Sequence, residues 1–149
     1  MRWKILVMAA VLPVLGMAAV SADAAVKRQC AVNKLRMENE GAFHIAQFVV
    51  KTARGGYDIR SGSLDASGSR TIDLSKWSDV AVTLKRGDEV WLTFAIGSGD
   101  QESCRKDETR LIYDPKNGNT WTYWTKGSTF NNNRCRFRNN ECIPYQTGQ

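Results

Sequence analysis

The residues from Asp88 to Gly97 limit the folds that this chain can adopt more than any other part of the sequence does. Apolar residues alternate there with mostly polar or small ones, and a period of two is typical of a β-strand that covers a core with one face. The apolar face consists of Val90, Leu92, Phe94 and Ile96. The opposite face consists of Glu89, Trp91, Thr93 and Ala95. This alternation predicts the central strand of a β-sheet.

The remainder of the chain has the pattern of short strands. After residue 25, no stretch of about eleven residues or more has a helical period, and turn residues recur about every 8–12 residues. The other predicted strands are residues 27–39, 42–52, 57–61, 70–74, 80–84, 109–114 and 120–126. We therefore predict an all-β fold, a single antiparallel β-sandwich of about seven or eight strands braced by disulfides.

An Asn-Gly pair marks a turn in the last third of the chain. Asn117 and Gly118 lie between the predicted strands 109–114 and 120–126. Both residue types tolerate the left-handed backbone of a tight turn, and an Asn-Gly pair between two strand-like segments is typical of a hairpin. The pattern predicts that these two strands lie side by side and antiparallel.

The first 25 residues have the features of a cleaved signal peptide. Arg2 and Lys4 are basic, residues 5–20 are apolar, and small residues follow at 22–24. Cleavage leaves residues 26–149 as one β-sandwich domain with a basic, cysteine-containing C-terminal arm. The sequence thus predicts a secreted or periplasmic protein.

Four cysteines follow the predicted signal peptide, and an even number in an exported chain predicts two disulfides. Cys104 and Cys135 flank the predicted hairpin, which favours a bond between them and leaves Cys30 to pair with Cys142. A local bond between Cys135 and Cys142 is the alternative. The chain has no Cys-x-x-Cys motif, so neither a thiol redox site nor a zinc site is expected.

The sequence contains no motif of a known catalytic or metal site. His44 is the sole histidine, and no Gly-x-Ser-x-Gly motif provides a nucleophile for it. A pair of carboxylates acting as acid and base remains an alternative, because sequence does not determine which carboxylates meet. We therefore predict a protein that is not an enzyme and that needs no cofactor.

Aromatic and basic residues are concentrated near the C-terminus. Trp121 and Tyr123 would share one face of a strand and Trp124 the other, while Phe137 would oppose the arginines of the C-terminal arm. Exposed indole and guanidinium groups bind sugar rings, phosphate, sulfate and carboxylate groups. The predicted ligand-binding residues are Tyr113, Trp121, Tyr123, Trp124, Lys126, Arg134, Arg136 and Arg138.

These features predict an exported binding protein whose aromatic and basic face meets an anionic or saccharide ligand on an envelope or host surface. The formal net charge of +6 is compatible with an anionic ligand. A membrane-active, cytolysin-like protein that binds anionic lipid is the first alternative. A secreted inhibitor of another protein and a small hydrolase are further alternatives. Export and the absence of a recognisable binding module argue against nucleic acid as a partner, and the sequence does not determine the oligomeric state.

Overall fold

The computed structural model describes residues 27–54, the backbone of 59–60, and residues 62–76, 84–98, 100–128 and 133–148. The predicted signal peptide and nearly all of the predicted strand 80–84 lie outside these residues. The described part of the chain forms nine strands and no helix, which confirms the all-β class. The strands are β1 (Arg28–Asn39), β2 (Ile45–Thr52), β3 (Ile59–Arg60), β4 (Ser69–Asp73), β5 (Glu89–Ile96), β6 (Gln101–Ser103), β7 (Thr109–Tyr113), β8 (Asn119–Thr125) and β9 (Arg136–Phe137).

Strand β1 pairs with three other strands. It runs parallel to β7 along Arg28–Val32 and parallel to β8 along Val32–Asn39, and it pairs antiparallel with β4. The main path of the mixed sheet is β3-β2-β5-β7-β1-β8-β9, while β6 pairs with β5. The two parallel pairings mean that the predicted antiparallel sandwich is not confirmed.

The predicted hairpin around Asn117 and Gly118 is wrong. Strands β7 and β8 both run parallel to β1, so the chain keeps its direction between them and the two strands do not pair with each other. An Asn-Gly pair makes a turn possible, but a hairpin also requires the following strand to pair back on the preceding one. Here β1 is the partner of both strands, and this long-range pairing decides their direction.

The core lies on the side of the sheet that the alternation in β5 predicts. The four apolar residues of β5 are buried, whereas Glu89, Trp91, Thr93 and Ala95 are partly exposed. The period of two thus separates a core face from a solvent face along β5, as predicted. The buried side chains that join those of β5 in one hydrophobic cluster include Val32, Leu35, Met37, Phe48, Val50 and Tyr123.

Two disulfides connect distant parts of the chain, and they join the pairs predicted from the sequence. Cys30 is bonded to Cys142, and Cys104 to Cys135. The first bond attaches the C-terminal segment to β1, where Ala31 N donates to Ile143 O at 2.7 Å. The second pair was predicted from a hairpin that does not form, so the pairing is correct although that premise is wrong.

Candidate functional site

The structure divides the predicted ligand-binding residues between the core and the surface. Tyr113, Trp121 and Tyr123 have exposed fractions of 5%, 3% and 0%. Phe137 packs against Trp121 and Tyr123, with ring centroids 5.3 and 5.4 Å apart. Burial raises the pKa of both tyrosines above the usual value, so their hydroxyls stay neutral. These three aromatic residues therefore belong to the core and not to a surface that contacts a ligand.

Trp124 lies on the outer face of β8, as the alternation predicts, and two guanidinium groups approach its ring. The pairing of β8 with β9 places Arg136 opposite Trp124. The guanidinium carbons of Arg136 and Arg138 lie 5.1 and 4.9 Å from the ring centroid, within the range of cation–π attraction. The indole Nε1 donates to Phe137 O at 3.1 Å, which fixes the orientation of the ring.

Two carboxylates on or beside β1 extend this arrangement. Glu38 accepts hydrogen bonds from Arg36 Nε at 2.9 Å and from Arg138 Nε at 3.0 Å, and Arg138 also pairs with Glu40. The hydrogen bond from Arg36, followed by that from Arg138, lowers the pKa of Glu38 below its ordinary value despite partial burial. We call Arg36, Glu38, Glu40, Trp124, Arg136 and Arg138 the Trp124 face.

A depression of about 360 Å³ lies at the edge of the Trp124 face. Ser69 Oγ accepts a hydrogen bond from Arg36 Nη2 at 2.8 Å inside it. The side chain of Asn39, another lining residue, is buried, and its Nδ2 donates a hydrogen bond to Phe43 O at 2.6 Å. Hydrogen-bond donors and acceptors therefore surround the space. Its lining residues are Arg36, Glu38, Asn39, Glu40, Ser67, Gly68 and Ser69.

The predicted residues Lys126 and Arg134 are exposed. Within the described part of the chain, the ion network of the Trp124 face consists of Arg36, Arg138, Glu38 and Glu40, and neither predicted residue belongs to it. The predicted row of three arginines therefore contributes two of its members, Arg136 and Arg138, to the site.

Sequence reasoning missed the carboxylates and Arg36. The alternation of Lys34, Arg36 and Glu38 does place these side chains on one face of β1, opposite Leu35 and Met37. That signal identifies an outward face, but many polar strand faces simply contact water. Only the parallel pairing of β1 with β8 brings Glu38 beside Trp124.

His44, the sole histidine, lies beside an acidic side chain in the described part of the chain. His44 Nδ1 lies 3.0 Å from Asp65 Oδ1 at an exposed position. No group of three or more His, Cys, Asp or Glu side chains in the described chain is arranged to hold a metal ion. Among those same residues, no helix is long and apolar enough to cross a membrane.

Comparisons with known proteins were made at the level of family, sequence and structure. No protein-family model and no curated protein matches the chain. Its structure is similar to the NMR structure of a protein from Eubacterium rectale, with a TM-score of 0.46 and 13% sequence identity. That similarity covers 81% of this chain and 98% of the other.

Proposed function

We propose that this chain is an exported, non-enzymatic binding protein and that its Trp124 face binds a saccharide on an envelope or host surface. The observation that carries the proposal is a partly exposed indole held by two guanidinium groups next to a polar depression. An indole offers apolar area to the C–H groups of a sugar ring. The surrounding charged and hydroxyl groups offer partners to sugar hydroxyls.

The ion pairs of the Trp124 face favour a hydroxyl-rich ligand over a strongly anionic one. Arg36 and Arg138 are both bound to Glu38, and Arg138 is bound to Glu40 as well. The two carboxylates balance these two arginines, and Arg136, which stacks on Trp124, leaves the face with a net charge of +1. A sulfate or phosphate at Arg36 or Arg138 would have to displace the carboxylates, whereas a sugar hydroxyl can donate to them and accept from the arginines.

The contacts of the described residues support this proposal over a cytolysin-like protein and a hydrolase. A cytolysin-like protein would use exposed aromatics as a membrane anchor, but three of the four predicted aromatics are buried. A hydrolase with a pair of carboxylates needs one carboxyl with a raised pKa, whereas hydrogen bonds lower the pKa of Glu38, Glu89 and Asp114.

Export is supported by two independent features. Residues 1–25 have the composition of a signal peptide. The two disulfides are consistent with an extracellular or periplasmic location, because such bonds persist mainly in oxidising compartments.

The test is isothermal titration of the oxidised protein with a panel of uncharged oligosaccharides. We expect saturable binding to at least one of them and a loss of about tenfold or more in affinity for Trp124→Ala, because the stacking surface is removed. Tyr145→Ala is the matched control, since Tyr145 is also partly exposed and stacks on an arginine, Arg86. Thermal unfolding of each variant checks that the fold is retained.

Binding that Tyr145→Ala weakens as strongly as Trp124→Ala does would contradict a site at the Trp124 face. The absence of saturable binding across the panel would contradict the choice of a saccharide as ligand. Glu40→Gln refines the test, because it removes one charge of the ion network and leaves the indole in place.

A further inference from the structure

A second partly exposed tryptophan, Trp91, lies on the outer face of β5 and does not belong to the Trp124 face. Lys51 of β2 lies directly opposite Trp91 in the strand register. Directly opposite residues of an antiparallel pair share a face and have neighbouring side chains. The guanidinium carbon of Arg105 lies 4.6 Å from the centroid of the Trp91 ring. Two cationic side chains are therefore placed beside one indole.

Arg105 is held in a fixed position by Glu89. Arg105 donates from Nε to Oε1 at 2.9 Å and from Nη2 to Oε2 at 3.1 Å, so both oxygens of the carboxylate contact it. Arg110 donates to the same carboxylate at 2.7 Å and is largely buried. Burial acts to raise the pKa of Glu89, but the two arginines lower it, so the carboxylate stays ionised.

This ion network carries an excess positive charge. Arg105 and Arg110 share the carboxylate of Glu89, which leaves a net charge of +1 on these three side chains. Asp107 approaches Arg110 only to 3.7 Å, and its side chain is 95% exposed, so water screens that contact. The side chain of Arg105 is 41% exposed and keeps donor groups that Glu89 does not use.

Polar groups continue from Trp91 along the same outer face. One row across the strands consists of Val49, Thr93 and Ser103, and the next places Ala95 between Gln47 and Gln101. Because Ala95 is small, the row around it forms a groove of about 110 Å³. The groove offers amide and hydroxyl groups, which suit a hydroxyl-bearing chain better than a lipid acyl chain.

We propose that Lys51, Trp91 and Arg105 form a second binding site that takes the sulfate or carboxylate group of an acidic polysaccharide. The guanidinium of Arg105 and the ammonium of Lys51 bind the anionic group, the indole packs against the sugar ring, and the next sugar lies along the groove beside Ala95. The site shares no residue with the Trp124 face, whose ligand is uncharged in our proposal.

The test is titration of the oxidised protein with dextran sulfate and with uncharged dextran of equal length at physiological salt. We expect Arg105→Gln and Trp91→Ala to weaken binding of dextran sulfate by about tenfold or more, because each removes a charge-assisted or stacking contact. Arg70→Gln is the matched control, since it removes one positive charge from an arginine that also stacks on an aromatic ring, that of Phe48. We expect that variant to change the affinity by less than about twofold, because Phe48 lies on the core face of β2 whereas Lys51 lies on the outer face.

Three outcomes would overturn the proposal. Dextran sulfate that binds Arg105→Gln as tightly as the native protein would exclude this site. An equal loss in Arg70→Gln would show attraction to overall charge only. Binding of phosphatidylglycerol vesicles in preference to dextran sulfate would identify a membrane surface as the ligand. The outcome with uncharged oligosaccharides and Trp124→Ala tests the other face separately.

Discussion

Asp114 is the residue whose environment departs most from that of an ordinary surface carboxylate. Its side chain is only 2% exposed and accepts hydrogen bonds from Arg86 and from the backbone amides of Lys116 and Asn117. Burial alone would raise the pKa of this carboxyl, but the bonds from Arg86 and the two amides hold it below its usual value. One side chain thus fixes the connection between β7 and β8.

We predict that Asp114→Asn lowers the free energy of unfolding by about 2–4 kcal/mol at pH 7, because it leaves Arg86 without its carboxylate partner. The folded pKa of Asp114 is depressed, so its stabilisation is fully present above the unfolded value of about 3.9. That stabilisation is lost as the pH falls through the lower folded pKa. Urea unfolding of both proteins at pH 7, 5 and 3 measures the difference.

Asp107→Asn is the control for this prediction, because Asp107 is 95% exposed and lies 3.7 Å from Arg110. We expect little change in stability for that variant. A difference between the native protein and Asp114→Asn that stays constant down to pH 3 would contradict the role assigned to the Asp114 charge.

Gly118 passes so close to β1 that a larger residue does not fit. A Cβ atom at this position would contact the backbone of Val32, and it would lie 2.5 Å from Asn33 N and 2.6 Å from Asp114 O. We predict that Gly118→Ala destabilises the protein by about 2 kcal/mol or more, because backbone atoms cannot move aside without breaking strand pairing. Gly97→Ala is the control, since a Cβ there would have no neighbour within 4 Å. Equal melting temperatures of the two variants would refute this packing argument.

At the scale of single strands, the alternation of residues is reliable because it depends only on backbone geometry. It correctly separates the buried Trp121 and Tyr123 from the partly exposed Trp124 in β8. It also places Phe137 against the core and Arg136 against the indole. Alternation does not show which face of a strand the core covers, so the predicted ligand-binding residues came from both faces of β8.

The C-terminal segment is attached to β1 by backbone hydrogen bonds and by one disulfide. Tyr145 N donates to Gln29 O at 3.1 Å, and an isolated bridge joins Cys30 to Pro144. Cys142 is partly exposed, whereas Cys104 and Cys135 are 0% and 1% exposed. The two disulfides therefore differ in their access to solvent.

We predict that a limiting amount of reductant opens the Cys30–Cys142 bond before the Cys104–Cys135 bond, because thiol exchange requires access to one sulfur. Alkylation of the native protein followed by peptide mass spectrometry identifies the cysteines that react first. Protein unfolded in denaturant is the control, and there we expect both disulfides to react at similar rates. Simultaneous labelling of all four cysteines without denaturant would contradict the difference in access.

At the scale of the whole molecule, both proposed sites depend on contacts between residues that are far apart in the sequence. Arg138 and Glu38 are separated by 100 positions and meet because β1 lies beside β8 and β8 beside β9. Trp91 meets Arg105 because the chain returns along β6 and positions Arg105 over the outer face of β5. The local composition of the sequence predicts neither of these two contacts.

The sequence by itself determined the all-β class, the inward and outward faces of β5, the placement of Trp121 and Tyr123 on the face of β8 opposite Trp124, and a pairing of cysteines that the structure also contains. These properties follow from local rules, since side chains alternate along any strand. Only the tertiary structure decided that β7 and β8 both run parallel to β1 and that Arg36, Glu38 and Trp124 share one surface. Strand order and direction depend on the free energy of the whole core, and several pairings of the same strands satisfy the same local pattern.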